Sequence, residues 1–441
     1  MSNSLDTSFG TNGIVNDYYI TNNYSSIDTV AIDSQKRIVV SGRYSSNSYS
    51  SFSLARYLKN GQLDTTFGTG GIATFAGIAL NQVSSIMTDA LNNIIAVGDN
   101  NGSPRKGSIV KVLPNGQLDT TFGTGGVIFL TSFYSSYLYQ VKIDNLNNIV
   151  ICGHCVPVSG SRNYLILRYL PNGQLDTTFG TGGYVIGRFF NSSSITTSLA
   201  FDNLNRIVVG GTGSTIVLAR FLTNGSLDTT FGTGGIVINN SITTSEIVSV
   251  AIDSSNCVIA GGYTYSGSYL LVRVLENGQY DTTFGTGGII INKFPISGTP
   301  SQIKSIAIDT TNHIVCVGVN NGNSGSIALY TPSGQLDTTF GSGGTIQYSS
   351  VSNGFQYVVI DNLNRIVVGG YSKGNPYFLA RIISPYSITE TPEPPPPTSS
   401  TVPASKKSLF TNNSLVFYKP GTFGGGDTGS TTNSRVKSRR C

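Results

Sequence analysis

Apolar residues along this chain fall in short runs, rich in Val, Ile, Tyr and Phe and bounded by Gly, Asn and Asp. Runs of this kind predict strands rather than helices. Four such runs recur in one fixed order. The first ends in aspartate: TVAID (29–33), YQVKID (139–144), SLAFD (198–202), SVAID (249–253), SIAID (305–309) and YVVID (357–361), with a weaker copy, SSIMTDA, at 84–90. A turn such as NLNR leads to a second run of the RIVVGG type, and a variable loop leads to a third, such as FSLARYL or IVLARFL. The fourth is of the GIV type. No segment combines a 3.6-residue apolar period with capping residues, so no helix is expected.

Between the third and fourth runs stands one phrase, NGQLDTTFGTGG at Asn60–Gly71, repeated letter for letter at Asn115–Gly126 and Asn172–Gly183. Near-copies begin at Asn224, Asn277 and Ser333, and a clipped one opens the chain at Asn3. Its aspartates, Asp6, Asp64, Asp119, Asp176, Asp228, Asp281 and Asp337, lie 52 to 58 residues apart. A period of that length indicates a propeller or a solenoid. The chain starts with a phrase and a fourth strand (13–20) that lack three strands before them, and the array ends with three strands (355–383) that lack a fourth. Pairing the two ends closes a ring, whereas a solenoid needs polar caps. The expectation is an all-β, seven-bladed propeller of four-stranded blades over residues 1–383, its ring closed by the N-terminal strand.

Within the phrase, Asn-Gly suits a turn with positive φ, Asp is placed to accept hydrogen bonds from the amides of the two following threonines, and Phe is placed to wedge between blades. One carboxylate per phrase is too few for a calcium loop. No helix follows the glycines to form a phosphate site. The phrase therefore reads as scaffold, and so does the NLNR-type turn on the same face. The first-strand aspartates sit at turn starts, which favours a hairpin role; the competing reading has Asp33, Asp144, Asp202, Asp253, Asp309 and Asp361 facing the central channel.

The phrase resembles the LDxxFGxxG repeat of the Delta-60 repeat family, whose members form β-propellers and occur in bacteria and in large DNA viruses of the mimivirus type. All seven copies keep the Asp, the Phe and the Gly after it; Ser8, Asn12 and Tyr280 are departures. The resemblance implies the propeller fold. With an Asn-, Ile- and Tyr-rich composition, it suggests a place in a giant-virus particle.

Only 11% of the 441 residues are charged, against about 25% in an average domain. The net charge of +5 is concentrated late, since residues 406–441 hold seven Lys and Arg against one Asp. A nearly neutral body is unsuited to nucleic acid, leaving that role to the basic tail. Residues 384–405 form a Pro-rich linker and 406–441 a basic tail. Leu415, Val416, Phe417 and Tyr418 offer one docking strand; Arg439, Arg440 and Cys441 offer a charged end able to crosslink. A disordered, solubilising tail is the competing reading. The N-terminus has no basic start followed by an apolar core, so synthesis in the cytoplasm without a secretory signal is expected, with a virion or particle surface as destination. No apolar run is long enough to span a bilayer.

The face opposite the phrase carries variable loops rich in aromatics: Tyr18, Tyr19, Tyr44, Tyr49, Phe133, Tyr134, Tyr137, Phe189, Phe190, Tyr263 and Tyr265. Tyr, Ser, Asn and Gly make adaptable contact surfaces, so this face is the candidate site for a glycan or protein partner. Cys152-Gly-His154-Cys155 resembles a redox motif but falls in a second strand, level with Val209 and Val368, without the helix N-terminus that lowers a thiol pKa. Two histidines in the whole chain assemble neither a triad nor a metal cluster. The sequence reads as a non-enzymatic structural or interaction protein without cofactor or metal, assembled through its tail. The alternative is a binding module using the Tyr-rich face.

Overall fold

The computed structural model describes residues 5–15, 27–46, 49–78, 80, 82–100, 102–157, 160–189, 193–212, 215–243, 245–294, 301–320, 324–349, 351, 354–371 and 378–389. These form seven four-stranded antiparallel sheets, each built from strands consecutive in the sheet. The inner strands are Thr29–Ile32, Gln82–Thr88, Ser135–Ile143, Ile195–Phe201, Ser245–Ile252, Ser301–Ile308 and Phe355–Ile360. Each packs on the next, and the last packs on the first, so the ring is closed. In blade 7 the fourth strand is Ile14–Val15, with Ile14 opposite Ala380 and Val15 opposite Leu379. The protein is the seven-bladed, all-β propeller that the repeats predict.

Second and third strands such as Ile94–Asp99 and Gly107–Val112 are buried along their whole length, because a blade on each side covers both faces. The core accordingly divides into clusters at the blade junctions; Phe67 of blade 1, for example, packs with Val110 and Val112 of blade 2. The seven phrase phenylalanines (Phe9, Phe67, Phe122, Phe179, Phe231, Phe284, Phe340) are all buried wedges. Their neighbours leave no room for a side chain in the next turn: Gly61 has φ +83°, and a Cβ there would lie 2.6 Å from the Gly10 nitrogen and 3.0 Å from the Phe9 ring.

The phrase aspartate is bonded differently from the expectation. Asp64 Oδ1 accepts from the amide (3.1 Å) and hydroxyl (2.6 Å) of Thr66, the second threonine only. Its other oxygen takes Arg56 Nε at 2.8 Å, from the third strand. Arg56 also donates to the Pro114 carbonyl of the next blade and lies 4.6 Å over the Phe67 ring. One cation thereby joins turn, wedge and neighbouring blade. Burial pushes the Asp64 carboxyl up, but Thr66 and Arg56 outweigh it and hold the group below its ordinary value. Lys111, Arg168, Arg220, Arg273 and Arg381 hold the matching place in five other blades.

Blade 6 has Leu329 there instead. Its Asp337 is bonded by Tyr386 Oη at 2.7 Å, and the Tyr386 ring stacks on His313 at 3.5 Å. The residues just past the last strand thus supply the group that blade 6 lacks.

The first-strand aspartates hold turns. Asp202 Oδ1 accepts the amides of Leu204 (3.0 Å) and Arg206 (2.9 Å), and Asp89 does the same for Leu91 and Asn93. Two residues after the bound Leu-type position's predecessor stands a left-handed residue, Asn in six blades and Lys36 in blade 1. Asparagine tolerates this conformation, and its Oδ1 also accepts an amide from the preceding blade, as Asn205 does from Asn145 at 3.3 Å.

Candidate functional site

Near their starts, six of the inner strands carry a β-bulge, at the steps Val83/Ser85, Leu138/Gln140, Thr196/Ser198, Ile247/Ser249, Ile303/Ser305 and Phe355/Tyr357. A bulge adds one unpaired residue and re-aims its side chain. The added residues are Ser84, Tyr139, Thr197, Val248, Lys304 and Gln356, and Asp28 holds the same place at the head of the first inner strand. The bulge has a partner in sequence, the glycine of each second strand. A Cβ on Gly98, Gly153, Gly211, Gly262 or Gly318 would lie 1.8–2.0 Å from the inner-strand carbonyl at the bulge. Only a residue without a side chain admits the bulged backbone there.

All seven of these residues line one cavity of about 490 Å³ in the channel mouth, on the face opposite the phrase. Gln140, Tyr137, Tyr357, Tyr371, Asp99 and Arg105 complete most of its wall. Gln140 of blade 3 reaches to 3.5 Å from Tyr357 Oη of blade 7, and its Oε1 accepts from Ser198 Oγ (2.9 Å) and the Leu199 amide (2.6 Å). These side chains link blades across the channel below the bulged residues. The charged residues of the wall are two acids, Asp28 and Asp99, and two bases, Arg105 and Lys304. Lys304 Nζ bonds Gln302 at 2.8 Å and lies 5.6 Å over the Tyr263 ring. Burial lowers its pKa, and the charge of Glu246 opposes that shift.

The aromatic residues singled out from the sequence have separate fates. Tyr137 lines the cavity, with its ring stacked on His154 at 4.4 Å and Arg105 at 5.6 Å. Tyr263 and Tyr265 both donate to Glu246, at 2.6 and 2.5 Å, which fixes that carboxylate beside the mouth. Phe133 meets Tyr184 edge-on at 5.7 Å and Phe189 stacks on Tyr164 at 4.4 Å, so both pack on strand residues of blade 3. Tyr134 is exposed. Tyr44 and Tyr49 lie in the paired strands Ile38–Ser46 and Tyr49–Tyr57. Tyr18, Tyr19, Phe190 and the tail residues Leu415, Val416, Phe417, Tyr418, Arg439, Arg440 and Cys441 lie outside the described residues.

Cys152 pairs with Gln140 in register, the place that Gly210 holds opposite Ser198, one residue on from the expected Val209. Burial pushes the Cys152 thiol up to about 12 and Cys155 to about 11. His154 is buried with neither ring nitrogen hydrogen-bonded among the described residues. Burial, with Arg162 nearby, pulls its pKa down to about 3. Neither thiol is a poised nucleophile. Among the described residues no three His, Cys, Asp or Glu side chains are grouped to hold a metal, and no helix is long and apolar enough to cross a membrane.

A family described as a domain of unknown function (DUF5122) beta-propeller matches residues 36–67, 147–179 and 205–231. Each matched segment contains a second strand, a third strand and the start of a phrase, which supports a propeller repeat family. No curated protein matches the chain. Among solved structures, the chain is similar to Sqt1 from Chaetomium thermophilum, with 11% identity over 82% of this chain and 97% of that one, TM-score 0.42. It is also similar to the PQQ-bound aldose sugar dehydrogenase of Streptomyces coelicolor, with 12% identity over 68% and 94%, TM-score 0.42. A third similar structure is a protein from Lactobacillus plantarum, with 13% identity over 76% and 89%, TM-score 0.47.

Proposed function

We propose that this propeller is a non-catalytic binding module whose cup, in the channel mouth, takes a small, uncharged, polyhydroxylated ligand such as the terminal residues of a glycan. The observation that carries this reading comes from the repeats themselves. The copies keep the same residue types where the scaffold needs them: the Asp and Phe of the phrase and the turn Asp in all seven, the left-handed Asn in six. At the bulged position six copies hold Ser84, Tyr139, Thr197, Val248, Lys304 and Gln356, and the unbulged first blade holds Asp28 in the same place, all seven different. A position that the backbone bends to present, and that each blade fills differently, suits one asymmetric ligand rather than ring assembly. Binding sites favour concave places with a few convergent polar groups. Two acids and two bases balance, which suits a neutral ligand, while carboxylate, amide and phenol groups match hydroxyls as donors and acceptors. Tail-mediated assembly on a virus particle, expected from the sequence, concerns residues outside the described ones, and the cup does not depend on it.

A thermal-shift panel of neutral mono- and disaccharides, uronic acids and amino acids tests the proposal on the full chain. A neutral saccharide should raise Tm with concentration, and Lys304→Met with Gln356→Leu should abolish that shift. A flat panel, or a shift that survives both substitutions, overturns it.

A further inference from the structure

The phrase face is less uniform than a scaffold requires. In the turns between first and second strands, blades 2, 3 and 4 carry Leu91, Leu146 and Leu204, which are 72%, 73% and 62% exposed. Blades 1, 5 and 6 have Gln35, Ser255 and Thr311 there. Blade 7 has a fourth leucine, Leu363, and this one is half-buried. The chain's own residues 384–389 run across its turn. The Ile388 amide donates to the Leu363 carbonyl at 2.8 Å, Asn364 Nδ2 donates to the Tyr386 carbonyl at 3.2 Å, and the Ser384 and Ser387 hydroxyls donate to the Asn364 carbonyl at 3.1 Å.

The bare turns repeat this occupied one. Residues 202–206 read DNLNR, letter for letter the same as residues 361–365. Asn92, Asn147 and Asn205 share the left-handed backbone of Asn364. Each commits Oδ1 to the preceding blade, at 2.9, 3.4 and 3.3 Å. Asn364 shares its Nδ2 between Thr310 Oγ1 of the preceding blade, at 2.8 Å, and the docked segment, whereas Nδ2 of Asn92, Asn147 and Asn205 has no protein partner among the described residues. The same bonds tie the three turns into one arc. Ala90, Asn145 and Asn203, exposed between the leucines, are uncharged.

We propose that this arc is a docking surface for an extended, uncharged peptide segment of a partner protein, held as Tyr386–Ile388 is held on blade 7. The segment's carbonyls accept from the asparagine Nδ2 groups, its amides donate to the leucine carbonyls, and an apolar side chain covers the leucines. Backbone bonds of this kind give affinity, and side-chain contacts give selectivity. The arc lies on the face opposite the cup, so both can be filled together.

The test uses the full chain, with leucine methyls labelled for NMR, and synthetic hexapeptides built on residues 384–389 with Ile, Val, Leu or Ser at the place of Ile388. Peptides with an apolar residue there should shift the methyls of Leu91, Leu146 and Leu204 saturably, and the Ser peptide should not. The triple variant Leu91→Ser, Leu146→Thr, Leu204→Gln, which takes the residue types of other blades, should keep the melting temperature and bind at least about tenfold more weakly. Absence of saturable shifts overturns the proposal, as do shifts confined to Leu363 or binding unchanged in the triple variant. Methyl shifts that follow protein concentration without peptide, with a doubled mass, identify a second copy as the occupant and overturn it equally.

Discussion

Beside the paired closing strand, a buried ion pair ties the two ends of the propeller together, and removing it has a calculable consequence. Arg381, in the last strand, places Nε 2.7 Å from Asp6 Oδ2 and Nη2 3.2 Å from Ser8 Oγ, bonds the Lys59 carbonyl of blade 1, and lies 4.7 Å over Phe9. Both partners are buried, with Arg381 3% and Asp6 6% exposed. Arg381→Leu leaves the Asp6 carboxylate without its main cation, although Arg365 remains at 3.4 Å. Breaking a buried pair by removing one member costs about 3–5 kcal/mol, and the remaining arginine places this case near about 3. Among the described residues the closing strand contributes Ile14 and Val15 to the sheet, so the loss should appear first as local opening. At 1.4 kcal/mol per decade, hydrogen-exchange protection of the Asp6 amide, which bonds the residue-381 carbonyl at 2.9 Å, should fall about a hundredfold. Arg381→Lys should lose less than about tenfold, because blade 2 makes the same joint with Lys111, 3.4 Å from Asp119 and 3.0 Å from the Pro171 carbonyl. A Leu variant within about threefold of wild type would refute the assignment of closure to this pair.

Three further outcomes follow from the same structure. Acid should destabilise the protein in two ranges: His154 is kept neutral well below its ordinary 6.5, and phrase carboxyls such as Asp6 and Asp64 are held below their ordinary 3.8. In both cases the folded state binds fewer protons than the unfolded one, so Tm should fall as pH drops below 6.5 and again below 3.8, with His154→Phe removing only the first decline; a rising Tm contradicts this. Cys152 and Cys155 should resist iodoacetamide at pH 8 in the native protein and react after unfolding in urea, read by peptide mass spectrometry; native labelling, or a disulfide between them, would return the redox reading. Gly318→Ala places a Cβ 1.9 Å from the Gln302 carbonyl oxygen beside Lys304. It should lower stability by about 1–3 kcal/mol in denaturant titrations, and an unaltered midpoint would show that the bulge does not need the glycine.

The fold was legible because its information is redundant. Seven phrases at one spacing give blade number, and the unpaired first and last strands give the closure. The roles of the phrase phenylalanine and the turn aspartate were readable for the same reason. The third-strand cation is aligned plainly by ARYL, VKVL, LRYL, ARFL, VRVL and ARII, but its partner lies eight residues on, across a turn, as Arg56 and Asp64 show. The cup was hidden for a different reason. A bulge shared by six blades leaves no irregularity in the repeat, and its one trace, the second-strand glycine, reads equally well as a turn residue. Aromatic content alone could not separate Tyr137, which lines the cavity, from Phe133 and Phe189, which pack on strand residues of blade 3. The docking of Tyr386 on Asp337 leaves one trace in the sequence, the Leu329 that blade 6 alone has in place of a cation.

On the proposed reading, six bulged side chains and Asp28 form a ligand cup on a scaffold whose other repeated positions serve assembly. The most direct measurement is a glycan array probed with the full wild-type chain and with a Tyr139→Ser, Lys304→Ser variant of unchanged melting temperature. The wild type should select a class of neutral glycans, and the variant should lose them. A blank array, or glycans retained by the variant, would contradict it.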